Sequence, residues 1–125
     1  MDVVGKFKNG TVVVSNLKTE EGEHKCHFKF DITFDTDCFS YTYHFGETVY
    51  FSMYDFINGK QEKLQDENSM DNYLELTKDY FGITVNQKGA NLNIKVLFDL
   101  WDDKEKLDDF LIELKAVCDV VLDKK

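Results

Sequence analysis

At 125 residues and a formal net charge of −9, the chain is long enough for one domain that buries about two-thirds of its unfolded surface without disulfide or metal staples. All 15 basic residues are lysines, so the bidentate guanidinium fork that commonly recognises phosphate is missing. Residues 31–125 hold ten lysines against twenty acids, a balance that argues against nucleic acid and anionic membrane as partners and in favour of a cationic one.

The first predicted element is a β-hairpin: VGKFK and TVVVSNL flank Asn9-Gly10, a dipeptide suited to a type I′ turn. HKCHFKFDITFD then alternates with a strict period of two. Cys26, Phe28, Phe30, Ile32 and Phe34 fall on one face, and Lys25, His27, Lys29, Asp31, Thr33 and Asp35 on the other, which describes a half-buried strand. Beyond a Thr36-Asp37 turn, FSYTYHF alternates again, with Phe39, Tyr41, Tyr43 and Phe45 inward. Val49, Phe51 and Met53 extend a short strand from there. Ser52, with Asp55 three residues on, reads as the N-cap of a helix over roughly Met53–Gln65 that buries Phe56, Ile57 and Leu64. Gly59 in its middle costs about 1 kcal/mol relative to Ala.

An acidic loop, QDENSMD, leads to three more strands, NYLELTK, YFGITVN and ANLNIKVLFDLW. In the last, Leu92, Ile94, Val96, Phe98 and Leu100 point inward, and Asn91, Asn93, Lys95, Leu97, Asp99 and Trp101 outward. The final helix places Leu107, Phe110, Leu111, Leu114, Val117, Cys118, Val121 and Leu122 on one stripe, with Asp102 or Asp103 as its cap. The expected class is α+β: one domain over residues 1–125, built on an antiparallel, curved β-sheet of about six to seven strands with one inserted helix and a C-terminal amphipathic helix.

No GxSxG elbow, HExxH, glycine-rich phosphate loop or P-loop is present, and the expectation is a protein that is not an enzyme and needs no cofactor. Of His24, His27 and His44, the first two are three apart on a strand and point to opposite faces, so they cannot chelate together. His24 shares a face with Cys26, which reads better as a small core residue; no metal site is expected. Asp35 and Asp37 lack the Gly and terminal Glu of a calcium loop. Three cysteines without a CxxC pair read as reduced intracellular thiols. The N-terminus MDVVGKFKNGT has no charged region followed by an apolar one, and no run reaches membrane-spanning length. A soluble cytoplasmic protein is the expectation.

One feature stands out. Asp99, Asp102, Asp103, Glu105, Asp108, Asp109 and Glu113 crowd the start of the last helix, with only Lys104 and Lys106 among them. Solubility explains any one of these acids, but their clustering is a repulsive cost. Trp101, the only tryptophan, sits at the rim of the cluster, either as an interface anchor or packed beneath the first helix.

The second half of the chain, YLELTKDYFGITV followed by LNIKVLFDLWDDKEKLDDFLIELKAV, resembles bacterial immunity proteins paired with wall-associated and contact-dependent-inhibition toxins. VYFSMYDFINGKQEKL fits the helix those proteins insert between strands. The resemblance implies a protein without chemistry of its own that neutralises a cognate basic toxin domain, a nuclease, by occluding its active site in a tight complex. The residues expected to bind that partner are Asp99, Trp101, Asp102, Asp103, Glu105 and Asp109, with Asp66, Glu67 and Asp71 as a second patch. The alternative is a small-molecule-binding or enzymatic domain with a pocket between sheet and helix, for which Cys38, Tyr41, Tyr43 and His44 are the candidates.

Overall fold

The computed structural model describes residues 2–22, 25–69, 72–87 and 92–123, with side chains described for all of these but 20–22, 25–26, 46–48, 66–69, 72–73, 83–87 and 92–96. The chain is α+β and entirely antiparallel in its pairing, but its strands form two sheets of four rather than one curved sheet. β1 (Val3–Phe7), β2 (Gly10–Gly22), β3 (Lys25–Asp35) and β4 (Ser40–Val49) make one meander. The helix α1 (Tyr50–Ile57) follows, and then β5 (Lys63–Ser69), β6 (Asn72–Thr77), β7 (Tyr80–Gln87) and β8 (Leu92–Asp99) make the second. The helix α2 (Lys104–Asp123) ends the described chain. β5 touches β4, yet no ladder joins them. No helix among the described residues is long and apolar enough to cross a membrane.

Three local details differ from the sequence expectation. The first hairpin pairs Phe7 with Gly10, so its loop is Lys8-Asn9 and not Asn9-Gly10; neither loop residue has a positive φ, which excludes the type I′ turn. Gly10 is required for a different reason: a Cβ there would lie 2.4 Å from the Asp35 carbonyl oxygen. The inserted helix begins at Tyr50, places Ser52 within its first turn, and stops at Ile57. Gly59, with φ of 81°, closes it: the Lys60 N–H donates to the Asp55 carbonyl and the Gly59 N–H to the Phe56 carbonyl, the paired bonds of a Schellman stop. Leu64 is buried as expected but from β5. The acidic QDENSMD segment is mostly that strand rather than a loop. β5 is an edge strand, and edges carry charge that hides their period.

The core lies where the two sheets and α2 meet. Phe34 of β3 sits edge-on to Phe98 of β8 at 5.1 Å and to Phe81 of β7 at 6.5 Å. Phe7 of β1 sits edge-on to Phe81 and to Phe110 of α2 at 6.2 and 5.9 Å. Gly5 lets α2 come this close to β1, since a Cβ there would meet the Phe7 ring at 2.6 Å and the Phe110 ring at 2.9 Å. Each buried phenyl contributes about 1.5–3 kcal/mol by removal from water alone. At the other end, Tyr50 and Tyr54 of α1 pack on Phe28 at 4.7 and 6.2 Å. Phe28, Phe30, Ile32 and Phe34 are all buried, as their alternation predicts. His27, expected outward, is only 8% exposed; it lies at the end of β3 beyond the point where the facing strand β4 carries a one-residue bulge.

Candidate partner-binding surface

The corner where β8 runs into α2 is built by short-range rules. Phe98 and Leu100 are buried and Leu97, Asp99 and Trp101 are exposed, following the strand period. The Leu100 N–H donates to the Asp79 carbonyl, which ends the strand against the β6–β7 turn. Asp99 Oδ1 accepts the Trp101 N–H at 2.9 Å and turns the chain. The Asp103 carbonyl then accepts the Leu107 N–H, and the helix starts.

The acids expected to bind a partner do not all face the same way. Asp102 is open to solvent, with Lys8 Nζ 3.9 Å away. Glu105 and Asp109 are exposed on the outward face of α2, and among the described residues no salt bridge engages them or Glu113. Trp101 is 68% exposed, which removes the reading in which it packs beneath α1. Asp103 is the exception. It is 7% exposed, its Oδ2 accepts the Lys8 N–H at 2.8 Å, and Lys106 Nζ stands 3.8 Å from its other oxygen. Its carboxylate pins the β1–β2 loop to the head of α2 and is turned away from any partner. Of the second patch, Asp66 and Glu67 lie on edge strand β5, their side chains outside the described set, and Asp71 lies outside the described residues.

The nearby lysines are committed locally. Lys104 Nζ binds Asp79 Oδ1 at 2.7 Å and sits 5.5 Å from the centre of the Trp101 ring. Lys115 pairs with Asp119 at 3.5 Å. Lys78 donates to the Ile57 carbonyl and lies over the Phe56 ring; burial holds its ammonium below the usual lysine range, with Lys104 adding to the effect and Asp108 opposing it. The outward face of α2 therefore presents Glu105, Asp109 and Glu113 beside Ile112, which is 68% exposed, Ala116 and Val120. Ile112 was readable from sequence as an apolar residue off the buried stripe; it extends the surface beyond the acids alone.

The pocket candidates do not converge. Tyr43 is buried in the core against Phe45, Tyr41 is half-buried beside Phe39, His44 points to the opposite face of the sheet and Cys38 is exposed in the β3–β4 loop. Cys118 is fully buried, and burial, aided by Asp119, pushes its thiol up to about 12, the condition of an inert structural thiol. Comparison with protein-family models, curated proteins and solved structures returned no match.

Proposed function

We propose that this chain is a binding protein of the immunity type, which docks its β8–α2 corner on a cationic toxin domain, a nuclease, and blocks the path to that domain's active site. The observation that carries this reading is Trp101. A large aromatic, two-thirds exposed, stands with exposed Asp102 in the turn before a helix whose open face displays Glu105, Asp109 and Glu113 beside Ile112. Binding hot spots are enriched in tryptophan, and the rim around them is polar and solvent-accessible. The acid field would steer a basic partner into encounter at rates up to about 10⁸–10⁹ M⁻¹s⁻¹ at low salt. The binding residues proposed are Asp99, Trp101, Asp102, Glu105 and Asp109, with Ile112 and Glu113 added and Asp103 removed.

Co-expression tests it. Cells producing a short lysine-rich toxin domain encoded beside this chain's reading frame should survive when the chain is present. Purified components should form a one-to-one complex that weakens steeply with salt. Survival independent of this chain, or a complex indifferent to salt and to Trp101→Ala, overturns the reading.

A further inference from the structure

One side of α2 keeps its apolar surface uncovered. The stripe from Leu107 to Cys118 is buried, but Ile112 and Val120 are exposed. With Ala116 they recur every four residues and form a ridge along the helix. Beside this ridge runs a groove of about 500 Å³. Leu111, Ile112 and Ala116 make its α2 wall; Ile57 and Asn58, where α1 ends, stand opposite with Lys78. The lysines of the groove are committed, Lys78 to the Ile57 carbonyl and the Phe56 ring and Lys115 to Asp119. The acids around Ile112 are open. Asp108, on the groove side, and Asp109 and Glu113, on the other, are exposed, and among the described residues no salt bridge engages them. Four residues before Asp108, Lys104 sits over the Trp101 ring, so this side of α2 leads up to the corner.

Whatever covers Ile112 must bring apolar surface and positive charge to the same place. A second copy of the chain brings the same excess of acid to the contact, and like charges set against each other across an interface are costly. An extended segment arrives with backbone N–H and C=O groups to satisfy, and α2 spends its own within the helix. A helix arrives with its backbone already paired. It can lay its own ridge alongside Ile112, Ala116 and Val120, where the small Ala116 allows close approach. Basic side chains flanking its apolar stripe then meet Asp108 on one side and Asp109 and Glu113 on the other. From Asp108 to Asp119 the groove wall rises about 16 Å, or three helical turns.

We propose that this groove and its ridge receive an amphipathic basic helix of the partner, about three turns long, whose apolar stripe covers Ile112 and Ala116 and whose flanking lysines meet Asp108, Asp109 and Glu113. The inference rests on the partner-binding reading for the partner's positive charge, and adds to it the form of the element that docks.

The test is a titration of the full chain followed by NMR, with three synthetic peptides of about four helical turns. One sets leucine and lysine at the helical period, the second alternates the same residues with a period of two, and the third is all lysine. The helical peptide should saturate, move the amides of Ile57, Asn58 and residues 108–119, and bind at least about tenfold more tightly than the other two. Ile112→Ser and Ala116→Gln, both at exposed positions of α2, should each weaken it at least about fivefold without lowering the melting temperature. The chain alone should sediment as a monomer. Equal binding of the three peptides, shifts confined to Trp101 and Asp102, unchanged affinity in both variants, or a dimer that Ile112→Ser dissolves each overturns the proposal. The wider reading fails separately. A basic toxin domain that binds through Trp101 but leaves Ile57, Asn58 and Ile112 unmoved overturns the docked helix alone, whereas a saturating helical peptide with no toxin domain bound or neutralised overturns the immunity function alone.

Discussion

The β8–α2 corner and the outer face of the first sheet both concentrate charge, and they treat it in opposite ways. At the corner, acids of one sign are left open to solvent, and the few lysines nearby are drawn off to Asp79, Asp103 and Asp119. On the sheet, Asn16, held at a left-handed φ of 54°, and His44 grip the Asp31 carboxylate at the junction of three strands. The first arrangement acts at long range and, in the function proposed, meets a large counter-charged surface. The second acts at contact distance and is met by neighbours within the sheet. A net charge of −9 describes only the first.

The comparison breaks most sharply at Asp103, which belongs to the corner in sequence and to the interior in space. Asp103→Lys should cost about 3 kcal/mol, because it buries an ammonium against Lys106 and leaves the Lys8 N–H without its acceptor. Asp103→Asn, which keeps a carbonyl acceptor, should cost about 1 kcal/mol. Denaturant melts check both; equal midpoints for Asp103→Lys and wild type would remove the clamp from the account.

On the sheet side, Asn16→Val should destabilise by about 1–2 kcal/mol, since a β-branched residue is strained in the left-handed region. Asn16→Gly should fall close to wild type, with the backbone relaxed and one exposed hydrogen bond lost. Acid sharpens the contrast further. Because the folded Asp31 carboxyl lies below its unfolded value of 3.8, its contribution is present above that value and is lost as pH falls through the folded one. Melting temperature should therefore drop less between pH 5 and 3 in Asp31→Asn than in wild type. The smallest effect is chemical. In the folded protein at pH 8, iodoacetamide should modify exposed Cys38 at least about a hundredfold faster than Cys118, as read by peptide mapping. Comparable rates would mean that α2 does not bury its thiol.

How much of this was legible in sequence follows from which interactions are local. The stripe of α2, the alternation of β3 and the three strands from Asn72 to Asp99 depend on periods of 3.6 and 2 and were readable. α1 was misplaced because its start has no side-chain cap while Ser52 and Asp55 imitate one. β5 was missed because Leu64 is the only apolar residue of its KLQDENS run, and the count of sheets failed with it. Within the corner, exposure of Glu105 and Asp109 follows from helical phase, and that of Asp102 from its place in the turn before α2. The burial of Asp103 does not, since it depends on a hairpin loop about ninety residues earlier in the chain. The Asn16–Asp31–His44 contact was illegible for a similar reason: it requires the register of three strands and the bulge at Asn16.

The central claim is that the open acids of the corner bind and do not stabilise. Asp102→Lys, Glu105→Lys and Asp109→Lys combined, measured for melting temperature and for association rate with the proposed basic toxin domain, test it in one protein. The account predicts a fold as stable as wild type or slightly more so, as repulsion along the helix is relieved, with association slowed at least about tenfold at low salt. A triple variant that associates and protects as well as wild type would contradict it.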